Sequence, residues 1–434
     1  MNALQFLEKL VSYASVSTLK ANQPQLKKIV VFLEKTLKDF GFVVKLVGTT
    51  HPLIYAYQDN QAQETVGFYA HYDVQPIEPL SKWKSPPFKL TAAGNKLFGR
   101  GVADDKGHIA QILAALTNTP REKRKNIVLL FEGEEELGSL HFEEYLKKII
   151  NNVPNINVFY VLDAGVRDAE TPMIEYGLRG LAAYTLKIKV ASHDLHSGLA
   201  GNLVANPANI LASLVASLKD KNGKVTLPHF YDNVLVVSET EDKLLQKSFG
   251  SLEKKLLEFG AKAFYLPSGA KTLLASKVFP SFDVNGIQSG YSEEGFKTII
   301  PAEGVLKFSF RLVPKQEGQK IDGILRQYVA DFLSQYPVQY ELKGDYSEAF
   351  LTDISSKEVA KTEKIFTQFF ANKMVYNRSG GSIPAAEVLG RHFKFPIVIT
   401  GFTSDDSRLH SPNENIDAAL FEKGEKVLGE LVSR

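Results

Sequence analysis

Four short apolar runs constrain the fold of this chain more than any other feature: VGFYA at 66–70, NIVLLF at 126–131, VFYVL at 158–162 and FPIVIT at 395–400. None alternates apolar with polar residues, so each suits a strand covered on both faces rather than one with a wet side. Polar clusters follow them: His71-Tyr72-Asp73 after the first, Glu134-Glu135-Glu136 after the second, Asp163 after the third and His410 downstream of the fourth. A further pair, Asp104-Asp105, closes the Gly-rich segment LFGRGVADD. In an open parallel sheet ligands bind at the C-terminal strand edge, and hard oxygen and imidazole groups converging there point to a metal site with open positions.

A chain of 434 residues exceeds one ordinary core, so two domains are expected. The net charge of +2 gives no electrostatic reason to invoke nucleic acid. Apolar runs such as IVVFL stop well short of the roughly 20 residues that span a bilayer, and no membrane partner is expected. At the N-terminus Leu4, Leu7, Leu10 and Val11 fall at helical spacing around Glu8 and Lys9, unlike the core of a signal peptide. A cytoplasmic location is the expectation. The absence of cysteine removes disulfides, thiol nucleophiles and thiolate metal sites, so any metal must be held by imidazole, carboxylate or carbonyl groups.

Residues 1–178 alternate helical and strand patterns. PQLKKIVVFLEKTLKDFGF reads as a helix closing on Gly41, and KGHIAQILAALTN as an amphipathic helix following the Asp pair. From about Gly180 the order becomes strand (LAAYTLKIKVAS), helix (PANILASLVASLKD), strands (FPSFDVNGIQSG, GVLKFSFRLVP), helix (GQKIDGILRQYVADFLSQYP) and strand (VQYELKG). This is a ferredoxin-like β-α-β-β-α-β series, interrupted by an excursion from about Lys221 to Lys277. The helix and strand alternation resumes after Asp345. The expected fold is α/β: a domain of residues 1–178 and 345–434 with a mixed, mostly parallel sheet between helices, and an inserted α+β domain of residues 179–344.

Each cluster also has an ordinary explanation. His71-x-Asp73 suits a turn, Asp104-Asp105 a solvated loop with a helix cap, and the Glu triplet an acidic helix start. Together His71, Asp104, Glu136, Asp163 and His410 offer two imidazoles and three carboxylates. That set suits two dications sharing a bridging carboxylate, with zinc favoured by the imidazoles and manganese or cobalt compatible with the oxygens.

The ordered set HYDVQP, SPPFKLTAAGNKLFGRGVADDKG, FEGEEELGS, LDAG, YGLRG, DLHSG, FRLVP, SGGSIP and LHSPNE resembles the clan MH co-catalytic zinc metallopeptidases, which include carnosinases, nonspecific dipeptidases, aminoacylase and carboxypeptidase G. The resemblance spans nearly the whole chain, is strongest to the dipeptidase branch, and implies a zinc-peptidase-like catalytic domain in residues 1–178 and 345–434 with residues 179–344 as an inserted lid and dimerisation domain. It implies His71 and Asp163 as ligands of one ion, Glu136 and His410 of the other, and Asp104 as the bridge. Asp73 would orient His71, and Glu135 would be the general base. His196 would stabilise the oxyanion from the partner subunit of a homodimer. Arg311, Thr298 and the turn Gly380-Gly381-Ser382 would bind substrate, the guanidinium and the turn holding its carboxylate.

Asp rather than Glu at 163, and Thr rather than Asn at 298, match the family's dipeptidases. The resemblance thus implies hydrolysis of dipeptides or short peptides. A Gly-rich histidine turn associated with carnosinases is missing around ELKGDYSEAF, which favours a broad peptidase over strict carnosine specificity. The rival readings are a deacylase of N-acyl amino acids and, from another class, an inactive binding protein of the same fold. A dinucleotide or phosphate loop fails, because Asp104 stands where the third glycine after Gly99 and Gly101 is required.

Overall fold

The computed structural model describes residues 1–249, 251–265 and 270–434. The chain folds as two compact units, residues 1–176, 352–377 and 383–434 forming the first and residues 177–351 and 378–382 the second.

The sheet of unit one carries, in order, strands Val43–Val47, Leu53–Gln58, Asn126–Glu132, Thr65–His71, Val158–Leu162, Ile397–Thr400 and Met173–Leu178. Its centre is parallel, with Thr65–His71 between Asn126–Glu132 and Val158–Leu162, and Ile397–Thr400 parallel to the latter. Every residue of Thr65–His71, Asn126–Glu132 and Ile397–Thr400 is buried, as unalternating apolar runs require. These parallel strands end at His71, Glu132, Leu162 and Thr400, so the loops that leave them emerge at one edge of the sheet.

The helix Lys106–Asn118 departs from expectation. It is not amphipathic: every residue from Lys106 to Leu116 is buried, because the helices Ala3–Val11 and Ala418–Val432 both pack on it. The polar residues that suggested a wet face are satisfied inside, Gln111 Nε2 donating to the Phe421 carbonyl at 2.9 Å.

Unit two holds an antiparallel sheet of Ser281–Gln288, Glu303–Leu312, Gly180–Lys189 and Gln339–Ser347 in that order. This is the ferredoxin-like arrangement. Helices Pro207–Leu218 and Gly318–Leu333 cover it, burying Tyr184, Leu186, Leu211, Phe308, Phe310 and Leu325 among others. The chain leaves this unit after Leu351 rather than at 345, since Gln339–Ser347 runs the length of the sheet and Phe350–Leu351 pairs with Leu178 and Gly177. Parts of the excursion from Lys221 to Lys277, residues 250 and 266–269, lie outside the described residues.

Candidate metal centre

His71 ends a fully buried strand and is itself fully buried. Its Nε2 lies 2.9 Å from Asp104 Oδ1 and 3.7 Å from Asp163 Oδ1. The second oxygen of Asp104 lies 2.9 Å from His410 Nε2, which is 3.4 Å from Glu136 Oε2. The carboxylate of Asp104 therefore stands between two imidazoles, one per oxygen. Two groups of potential ligands result, His71, Asp105 and Asp163 in one and Asp104, Glu136 and His410 in the other, with the ligand atoms of each within 4.8 Å of one another.

Asp105 lies within that distance of His71 and Asp163, but both its oxygens are engaged. Its Oδ2 accepts the main-chain N–H of His71 at 2.9 Å, and its Oδ1 accepts from His108 Nδ1. His108 Nε2 in turn accepts the N–H of Phe402 at 2.9 Å, which fixes the imidazole as the Nδ1–H tautomer. Asp105 and His108 thus hold the end of the His71 strand to the loop after Ile397–Thr400. The sequence pairs Asp105 with Asp104 without giving it a role of its own, and His108 carries no signal beyond being an imidazole three residues on.

Asp73 sits under both halves of the cluster. Its carbonyl oxygen faces His71 Nδ1 at 3.1 Å and its carboxylate lies 3.4 Å from the same nitrogen. The two carboxylate oxygens accept the N–H groups of Glu135 and Glu136 at 3.3 and 3.2 Å. One buried side chain so orients the first imidazole and the turn Glu135–Leu137. Gly133 allows that turn to approach: a Cβ there would lie 2.1 Å from the Tyr72 hydroxyl. The acidic triplet is divided. Glu134 turns away and accepts His141 N–H at 2.6 Å and His141 Nδ1 at 3.0 Å, tying down the start of helix Phe142–Ile149. Glu136 accepts from Gln75 Nε2 at 2.6 Å.

The electrostatics call for cations. Burial, with the Asp163 charge next, drives the Glu135 carboxyl well above the usual range. Burial and the Asp104 charge push Glu136 up to about 8, and burial raises Asp163. Asp104 goes the other way, because hydrogen bonds from His410 and His71 outweigh its burial and hold it ionised. Carboxylates crowded in low dielectric repel one another, and divalent ions relieve that repulsion. The donor set of imidazole and carboxylate groups fits such ions.

The remaining candidates lie in unit two. His196 and Thr298 share a two-stranded ribbon: His196 pairs with Ile299, and Ser197 N–H donates to the Thr298 carbonyl at 3.0 Å. His196 is exposed, its Nδ1 accepting Gly198 N–H at 3.0 Å. Arg311, on the strand Glu303–Leu312, is partly buried and lowered by that burial. Arg179 was not anticipated as a member of this group. Its N–H and Nε donate to the carbonyls of Gly381 and Gly380 at 3.0 Å each, which holds the turn of Gly380, Gly381 and Ser382 within unit two. Burial and the neighbouring Arg311 charge push its guanidinium down to about 10.

The model of peptidase family M20/M25/M40 matches residues 67–434, and the chain belongs to that family, a class of metallopeptidases. It is 29% identical to the Cys-Gly metallodipeptidase DUG1 of Candida albicans, over 98% of this chain and 93% of that protein. Human Beta-Ala-His dipeptidase is 26% identical, over 84% of this chain and 73% of the other. Among solved structures, the M20 family metallo-carboxypeptidase Sso-CP2 of Sulfolobus solfataricus superposes with a TM-score of 0.89 at 28% identity, covering 100% of this chain and 98% of that one.

Proposed function

We propose that this chain is a dipeptidase that uses two divalent ions to hydrolyse the amide bond of dipeptides or short peptides bearing a free amino terminus. The observation that carries the reading is Asp104, whose oxygens each face one imidazole at 2.9 Å. His71 and Asp163 would hold one ion, Glu136 and His410 the other, and Asp104 both. Bound there, the ions, zinc by preference and manganese or cobalt as alternatives, would polarise the scissile carbonyl and acidify a water. Glu135 would take a proton from the attacking water and pass it to the leaving amine nitrogen. Its raised proton affinity suits a group that must hold a proton between the two steps.

Arg311, Thr298 and the turn at Gly381 and Ser382 would hold the substrate, its carboxylate at the guanidinium and the turn. His196 donates to the developing oxyanion, supplied by the partner subunit of a homodimer formed through unit two. In support of that dimer, segments flanking the His196 ribbon leave Leu199, Leu203 and Phe296 at 78%, 82% and 91% exposure. We also propose a cytoplasmic location. No helix among the described residues is long and apolar enough to cross a membrane.

A second reading, a carboxypeptidase, is favoured by the likeness to Sso-CP2. Turnover of metal-reconstituted protein on one peptide panel separates the possibilities. The dipeptidase reading expects cleavage of free dipeptides that N-acetylation abolishes. Cleavage of N-blocked peptides with a free C-terminus would replace it with the carboxypeptidase, and a preference for N-acetylated amino acids would replace it with the deacylase.

A further inference from the structure

Asp104 lies in an irregular loop between the strand Lys96–Phe98 and the helix Lys106–Asn118. The loop is gripped by a carboxylate from the far end of the chain. Glu414 is fully buried and accepts the N–H groups of Gly101 at 3.1 and 3.0 Å, Ala103 at 3.0 Å and Asp104 at 3.0 Å. Arg100 Nη1 donates to Glu414 Oε2 at 2.8 Å, while its Nη2 donates to the Pro76 carbonyl at 2.8 Å and its guanidinium lies 5.5 Å from the Trp83 ring centre. Converging amides of this kind ordinarily bind an external anion; here the anion is built in. Gly101, at φ +88°, permits the turn, and a Cβ there would meet Val74 and Lys106 at 2.8 and 2.9 Å, so the loop has little room to shift.

The same residue stands four positions after His410, whose side chain is 57% exposed. Between them Asn413 anchors the segment, accepting Lys84 N–H at 2.7 Å and donating to the Lys82 carbonyl at 2.8 Å. We propose that Glu414 is a positioning residue that ties the segment carrying His410 to the loop carrying Asp104, and so sets the affinity of the Glu136 and His410 side for its ion. His71 has its own tether through Asp105 and His108, so the two ions would share Asp104 but differ in how their imidazoles are held, and of those imidazoles only His410 sits on a segment that depends on Glu414 directly. The inference rests on the two-ion reading above.

The test is titration of metal-free wild type, Glu414→Gln and Glu414→Asp with Co2+, followed by visible absorption and calorimetry. Gln offers one acceptor oxygen where Glu offers two, and Asp is shorter by one methylene. The wild type should take up two ions. Each variant should bind one with an affinity within about threefold of wild type and the other at least tenfold more weakly. Its kcat should fall at limiting Co2+ and recover in excess, with KM for a dipeptide unchanged within about twofold. Wild-type uptake of both ions by both variants, or equal weakening of the two, would overturn the proposal. Failure of both variants to fold in excess Co2+ would also overturn it, making Glu414 structural only. Fewer than two ions on the wild type would instead remove the two-ion reading and the proposal with it.

Discussion

His71 and His196 are opposites. The first is fully buried at the end of a buried strand, with its main-chain N–H, Nδ1 and Nε2 all facing named partners. The second is exposed on a two-residue ribbon, and its Nδ1 meets an amide two residues away. The same contrast holds between the carboxylates of unit one, fixed by the Asp73, Asp105 and Glu414 networks, and the groups of unit two proposed to bind substrate, of which Arg311 and the 380–382 turn are only partly covered. Groups that must bear concentrated charge gain from geometry set during folding, because buried charge is tolerable only with its partners already in place. Groups that meet a substrate must stay accessible to it. In the proposed reading the two needs fall to different units.

If that division is right, substitutions in unit one should affect metal and chemistry, and those in unit two should leave the ions alone. The largest effect is expected from Glu135→Gln, which should retain both ions and lose about 10²–10⁴ in kcat. Asp104→Ala should lose metal as well, so metal content separates the two roles. Wild-type turnover in Glu135→Gln would remove that residue from the mechanism.

A smaller loss, on the order of 10²–10³ in kcat with metal content unchanged, is expected for His196→Ala. Mixing those chains with Glu135→Gln chains should restore part of the activity by building one intact site per heterodimer. Proven heterodimers without recovery would place His196 in its own chain's chemistry or outside it altogether.

The smallest effect concerns stability. With Glu136 raised from 4.5 to about 8, the folded metal-free protein holds a proton that the unfolded chain releases. The stabilisation is complete below about pH 4.5 and is lost as pH rises through about 8. Metal-free protein should therefore melt lower at pH 9 than at pH 6, by about 2–4 °C for each kcal/mol in a domain of this size. Ion binding should remove or reverse the trend, since it needs the deprotonated groups. A metal-free melting temperature that climbs over this range would contradict the electrostatic description of the cluster.

Much of this was legible in the sequence, for a physical reason. Unalternating apolar runs such as NIVLLF suit only elements buried on every side, and the sheet buries all seven residues of Asn126–Glu132. The polar residues after those strands converge because parallel strands share a C-terminal edge. Burial of a whole helix was harder to see: KGHIAQILAALTN contains His108 and Gln111, whose partners Phe402 and Phe421 are 294 and 310 positions away. Glu414 was equally hidden, since it meets Gly101 across 313 positions. Nor could the triplet at 134–136 disclose which carboxylate would hold His141 ahead of a helix and which would face the cluster, because Asp73 and His141 decide that in three dimensions.

The central claim is that Asp104 bridges two ions, and anomalous diffraction from zinc-loaded crystals tests it directly. The account predicts two zinc peaks on either side of the Asp104 carboxylate, one coordinated by His71 and Asp163 and the other by Glu136 and His410. A single peak, or a pair bridged by Asp105 with Asp104 turned away, would contradict it.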